Sequence, residues 1–246
     1  MHGIGTLINV VAILLGGIVG LFLKKGLSQK LMDSVMKAIG VAVMFVGISG
    51  ALTGLLKIGE GGKIETSGTM LMIISLILGT FVGELLKIED RLESVGEKLK
   101  SAVKAKDGGS FVEGFVTTTL IFCVGAMAIV GSLEDGLSGN FTTLAAKSIL
   151  DGIMALIIAS TMGVGVLFSA IPVFIYQGAI TLLAEFISPV LSDQLVLNLS
   201  YIGSALIFGI GVNQLFGKKI KTGNMLPALL IPIVYELFTK LVLPLF

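Results

Sequence analysis

The sequence predicts an all-α polytopic membrane protein. It has about eight transmembrane helices (seven or eight), arranged as a 3+3 inverted-topology repeat with two C-terminal helices. Three observations predict this. First, of 246 residues 54% are hydrophobic and only 13% charged, where a soluble domain carries about 25% charge; mean hydropathy is +1.02. Second, uncharged apolar runs recur at about the 20 residues that a spanning helix needs. Third, one polar stretch occurs twice. Lys24 to Val41 reads KKGLSQKLMDSVMKAIGV, and Glu134 to Asp151 reads EDGLSGNFTTLAAKSILD.

Gly26, Leu27, Ser28, Lys37 and Ile39 recur without a gap as Gly136, Leu137, Ser138, Lys147 and Ile149. The leading pair changes sign, from Lys24-Lys25 to Glu134-Asp135. Positive charge is retained on the cytoplasmic side of a membrane, so inverted copies should differ in this way. Chance similarity between apolar segments of low complexity is the competing explanation.

The elements follow in order. Helix 1 is the uncharged run Gly3 to Leu23, helix 2 is Ala38 to Leu56, and helix 3 is Thr66 to Gly83, closed by Glu84. Helix 4 is Gly114 to Leu133. The stretch 152–184 carries no charge over 33 residues. At about 1.5 Å per residue it is too long for one span and slightly short for two with a loop. It reads as two helices, 148–167 and 170–188, meeting at a turn near Ser169-Ala170; a re-entrant hairpin is the alternative. Helix 7 is Gln194 to Gly217 and helix 8 is Leu226 to Phe246. This gives a first repeat over 1–87, a linker over 88–112, a second repeat over 113–188 and a C-terminal pair over 189–246. In the linker, Leu92, Val95 and Leu99 keep helical spacing, as an amphipathic surface helix ending at Asp107-Gly108-Gly109 would; a solvated linker is the other reading.

Charge sets the orientation. Lys24, Lys25 and Lys30 follow helix 1, Arg91 to Lys106 follow helix 3, and Lys218, Lys219 and Lys221 follow helix 7. The positive-inside rule then puts both termini outside. No positive charge precedes the first apolar run, so it does not read as a cleavable signal. Either reading of 152–184 keeps this sidedness.

Composition also excludes functions. Net charge is +1 and no basic, aromatic-laced stretch suggests nucleic acid. The single cysteine, Cys123, allows neither an intrachain disulfide nor a CxxC metal site, and the single histidine is His2. No HExxH, GxSxG, Walker A or dinucleotide-binding glycine pattern occurs. The chain therefore reads as a non-enzyme without cofactor or metal, whose partners are the bilayer, a small solute or ion, and a possible second copy.

Polar groups inside spans are costly and mark either function or helix-to-helix glue. The candidates for binding a substrate or ion are Asn9 in helix 1, Glu84 at the end of helix 3, Lys147 and Asp151 at the start of helix 5, Gln177 in helix 6, Asn213 in helix 7 and Glu236 in helix 8. Lys147 and Asp151 could equally form an interfacial ion pair, and Glu236 could pair with Lys240 one turn on. Glu185 reads as a solvated helix end. Ser160 to Gly165 could supply unwound backbone, and Pro227 and Pro232 free carbonyls in the turns before them. Asn9, Asp151, Gln177 and Asn213 are expected to converge. Gly16-x3-Gly20, Gly79-x3-Gly83 and Gly209-x-Gly211 with Gly217 precede Lys24, Lys87 and Lys218. Close helix packing is their first explanation, and ligand lining the second.

GTLIN near the start, LGTFVGELLKIEDRLE at 78–93, LIFCVGAMAIVGSLEDGL at 120–137, KSILDG at 147–152 and NMLPALL at 224–230 resemble the bacterial membrane proteins called domain of unknown function 554. The resemblance covers essentially the whole chain. It implies a polytopic fold in the bacterial inner membrane and a vague transport role without a set substrate. Asn9, Glu84, Lys147, Asp151 and Asn213 fall in or near the matching motifs.

Overall fold

The computed structural model describes residues 2–24, 26, 28–105, 110–189 and 191–241. Lys25, Leu27, Lys106 and the Asp107-Gly108-Gly109 terminator therefore lie outside the described residues. In chain order the helices are α1 (Ile4–Lys24), α2 (Gln29–Leu55), α3 (Thr69–Leu86), α4 (Ile88–Ala102), α5 (Ser110–Cys123), α6 (Ala126–Ser138), α7 (Thr142–Met162), α8 (Gly165–Phe168), α9 (Ala170–Leu182), α10 (Ala184–Ile187), α11 (Asp193–Phe216) and α12 (Leu230–Leu241). A hairpin of β1 (Leu56–Ile58) and β2 (Ile64–Thr66) joins α2 to α3, and a 3₁₀ segment, Thr222–Leu229, leads into α12.

Among the described residues, seven helical segments are long and apolar enough to cross a membrane, and the bent pair α5 and α6 makes up to eight. The fold is an all-α polytopic one, as the sequence implies. Several boundaries differ, among them three by more than a turn or by a break in the helix. Helix 2 begins at Gln29 rather than Ala38, because the polar first turns of an amphipathic start carry no hydropathy signal. The expected helix 4 is two helices bent by 60°. Gly125 sits at the bend with φ 155 and ψ 149, a backbone region open essentially to glycine alone. The turn expected at Ser169-Ala170 falls instead at Gly163, where φ is +87; a helical span runs from Gly165 to Leu182.

The chain forms two compact units, Met1–Ile39 with Asp90–Pro189, and Gly40–Glu89 with Val190–Phe246. In the first, α1 and α7 run parallel and almost touch. A methyl group on Gly16 would lie 2.0 Å from the Gly152 carbonyl oxygen, and one on Gly20 would lie 2.2 Å from that of Leu156. The α8–α9 span runs the other way, since Gly17 abuts Leu167 while Asn9 bonds Gln177. The 152–184 stretch is thus the end of one crossing and most of the next. The bent pair covers the same depth. At one end Gly165 abuts the carbonyl of Phe111; at the other, Thr181 Oγ1 donates to the carbonyl of Ser132 at 3.1 Å. The Asp135 carboxylate accepts from the amides of Gly3 and Gly5, at 3.1 and 2.9 Å. An acidic group is thereby fixed on the positive end of the α1 dipole. On α4, Leu92 and Leu99 turn inward with Gly96, while Val95 faces out.

In the second unit, α2 and α11 are antiparallel. Gly40 faces Gly211, Gly47 faces Phe208 and Gly54 faces Tyr201, a spacing of seven that keeps one face of a helix against its neighbour. A methyl group on Gly79 would meet Ala228 N at 2.2 Å, and one on Gly83 would meet the Asn224 carbonyl at 1.8 Å, so α3 packs on the 3₁₀ segment. Glu89 ties that segment down. Its Oε2 accepts from the Gly223 amide at 3.0 Å and its Oε1 pairs with Lys218 at 2.7 Å. Its own amide donates to Asn224 Oδ1 at 2.7 Å.

Candidate functional site

Three spanning helices of the first unit bring four of the seven candidate residues together. Asn9 comes from α1, Lys147 and Asp151 from α7, and Gln177 from α9. Asp151 lies nine residues into α7, about 14 Å along its axis at 1.5 Å per residue, well inside a span. Lys147 sits one turn earlier on the same face, which lets its ammonium donate to Asp151 Oδ2. Both side chains are buried within the protein, at 8% and 9% exposure.

Asn9 Nδ2 donates to Asp151 Oδ2 at 3.0 Å and to Gln177 Oε1 at 3.2 Å. The α1 amide is thus the link between the ion pair on α7 and the amide on α9. The Lys147 ammonium also lies 5.9 Å from the ring centroid of Phe122 on α5, within cation–π range. Buried charge is tolerated when it is paired and hydrogen-bonded, and here each charge has its opposite.

The hydrogen bonding is incomplete. Asn9 Oδ1 and Gln177 Nε2 are buried without a partner, as are the hydroxyls of Thr6 and Thr119. Thr6 is three residues before Asn9, and Thr119 three before Phe122, so each shares a helix face with a residue of the cluster. Unpaired buried polar atoms cost about 1–3 kcal/mol each. The cluster therefore offers a hydrogen-bond acceptor, a donor and two hydroxyls beside a self-neutralised ion pair.

The other three candidates belong to the second unit. Asn213 holds a turn within that unit. Its Nδ2 donates to the Ile220 carbonyl at 2.7 Å, and its Oδ1 accepts from the amides of Lys219 and Ile220, both at 2.9 Å. Glu84 is exposed at the end of α3, 3.6 Å from Lys221. Glu236 accepts from Ser192 Oγ at 2.8 Å; the Lys240 side chain proposed as its partner lies outside the described residues. Glu185 is exposed. Ser160 and Thr161 remain helical and donate to the carbonyls of Ile157 and Ile158. The unwound backbone is confined to Gly163 and Val164.

Two functional carboxylates of the fold escaped the sequence reading. Asp135 is fully buried and Glu89 nearly so, yet both lie in charged segments that read as solvated. The signal available was Gly3 and Gly5 for one and Gly223 for the other, amides left open at helix starts. Groups of three or more His, Cys, Asp or Glu placed to hold a metal do not occur among the described residues. An apolar groove of ≈ 480 Å³ lies on the first unit between Val10, Leu14, Leu167 and Phe174. A second of ≈ 400 Å³ lies on the other unit near Ala51, Met72 and Phe208.

Comparison with known proteins places this geometry. The model of a family described as "Protein of unknown function (DUF554)" matches residues 4–237. The uncharacterized membrane protein YdfK of Bacillus subtilis (strain 168) is 34% identical over 228 residues, 93% of each chain. The uncharacterized protein YqgA of Escherichia coli (strain K12) is 28% identical over 232 residues, 93% of this chain and 94% of the other. No solved structure matches. With nearly the whole chain matched and the cluster residues inside the matched range, this polytopic membrane protein belongs to the DUF554 family.

Proposed function

We propose that the chain is a secondary transporter or channel for a small polar or ionic solute across the bacterial inner membrane. One observation carries this: Asn9, Lys147, Asp151 and Gln177 meet inside spanning helices with polar atoms left unpaired. Ionisable groups at membrane depth mark substrate or ion pathways far more often than they serve stability. The helix pair bent at Gly125 lies beside the cluster, and broken helices are where transporters place their sites. In this reading helices 1–3 and 4–6 are inverted copies, both termini face outside, and the protein does no catalysis and binds no nucleic acid.

A screen of solute uptake into proteoliposomes tests this. Asp151→Asn keeps the shape of the side chain and removes its charge. The variant is expected to fold with lower stability, because Lys147 loses its counter-charge, and to lose flux. Unchanged flux in a folded Asp151→Asn protein would remove Asp151 from the mechanism and leave Glu236 as the stronger candidate. A second reading, a non-transporting membrane scaffold that pairs with other chains or with itself, is favoured by the two apolar grooves. It expects no flux with any solute and a stable complex in mild detergent.

A further inference from the structure

The β1–β2 hairpin has no place in the function proposed above, and its side chains are arranged in an unusual way. Leu56 pairs with Thr66, Lys57 with Glu65 and Ile58 with Ile64. Side chains alternate faces along a strand, so Leu56, Ile58, Ile64 and Thr66 share one face. Lys57 and Glu65 take the other face and form an ion pair at 3.5 Å. The apolar face is bare: Ile58 is 82% exposed and Ile64 74%. Most other strongly exposed apolar side chains lie on spanning helices, where lipid covers them. These two lie on a connection.

The hairpin is tied to the ends of two spans. β1 starts at the residue after α2 ends, and β2 ends three residues before α3 begins. The Ser67 amide donates to the Leu55 carbonyl at 2.8 Å, which joins the base of the hairpin to the last turn of α2. Tyr201 Oη donates to the Gly68 carbonyl at 3.2 Å, which fixes the other strand's exit. Ile58 is three residues past α2, so at about 3.3 Å per residue it lies within about 10 Å of the span end. The polar headgroup layer is about 5–8 Å deep on each side of the hydrocarbon. Two opposed isoleucines at that distance, with charges on the reverse face, match the pattern of a segment lying in the interface.

We propose that the hairpin is a lipid-interface anchor: Ile58 and Ile64 insert among the acyl chains at the bilayer boundary, and Lys57 and Glu65 face water. A two-stranded hairpin alone is marginally stable, and a lipid surface supplies the missing apolar partner. The chain contains no Trp, so a single introduced Trp reports one position without background. Ile58→Trp, Ile64→Trp and Lys57→Trp are made separately in the full chain and reconstituted in phosphatidylcholine–phosphatidylglycerol vesicles, with some acyl chains brominated near the carbonyl. Ile58→Trp and Ile64→Trp are expected to emit to the blue and to lose more than half their emission to the brominated lipid. Lys57→Trp is expected to be quenched by aqueous iodide instead. Iodide quenching of all three would overturn the proposal by showing a free surface. Shielding from both quenchers, with Ile58→Cys cross-linking two chains in a Cys123→Ser background, would overturn it in favour of a second copy on that face.

Discussion

Asp151 receives an ammonium and an amide on the same oxygen, and that crowding makes the cluster sensitive to single changes. Removing one partner of a buried ion pair leaves the other charge uncompensated, at a cost of about 3–5 kcal/mol, whereas replacing both with apolar groups is often close to neutral. Lys147→Met should therefore unfold the protein at markedly lower temperature in detergent. Lys147→Met with Asp151→Leu should recover to within about 1 kcal/mol of the parent. If the pair is there to handle solute, the double variant should be stable and inactive. Recovery of both stability and flux would reduce the pair to a structural contact. Asn9 and Gln177 were legible in sequence because each is a lone polar residue in an apolar run, and Asp151 because it borders the uncharged 152–184 stretch. Asn213 has the same appearance and a different job. Periodicity gives depth along the chain but not which backbone an amide will meet, and Asn213 meets the turn after its own helix.

At the scale of the helix, glycine sets the spacing. Gly16 and Gly83 leave no room for a methyl group, and what they meet is backbone carbonyl that cannot rotate aside. Overpacking of this kind costs about 1–3 kcal/mol. Gly16→Ala and Gly83→Ala should each lower the midpoint of thermal unfolding, while Gly61→Ser, in the open hairpin tip, should be milder despite its positive φ of 71. Two of the glycine motifs were visible as small residues four apart. The Gly40, Gly47 and Gly54 row was visible only at a spacing of seven. Asp135 offers a separate test. Asp135→Ala strands the Gly3 and Gly5 amides and should cost about 1–3 kcal/mol. Asp135→Asn keeps one acceptor oxygen and should lose less, with calorimetry in detergent to compare the two. The hairpin was not read from the sequence, because the hydropathy of the neighbouring runs conceals a six-residue sheet.

For the molecule as a whole, composition and run length were enough for the class, because nothing but helices satisfies backbone groups in lipid without closing a barrel. They did not show that the α1 stretch and the 90–189 stretch form one compact unit. Hydropathy records which segments enter the membrane and is silent on which ones pair. Lys98 is exposed on α4, and the proposed topology expects it on the cytoplasmic side. In a Cys123→Ser background, Lys98→Cys should stay unlabelled by a membrane-impermeant maleimide in intact cells and react after lysis. Reaction in intact cells would invert the topology.

The parallel contact of α1 with α7 has a consequence for how the protein is made. Between Lys24 and Thr142 the ribosome adds 118 residues, which at roughly 5–20 residues per second takes on the order of 10 s. Until α7 is made, the glycine notch of α1 lacks the surface it fits, and until Asp135 is made the amides of Gly3 and Gly5 lack their carboxylate. Lipid cannot fill a notch shaped for the Gly152 and Leu156 carbonyls, so the nascent chain carries an open seam that invites a wrong helix. A chain interrupted before α7 keeps that seam open.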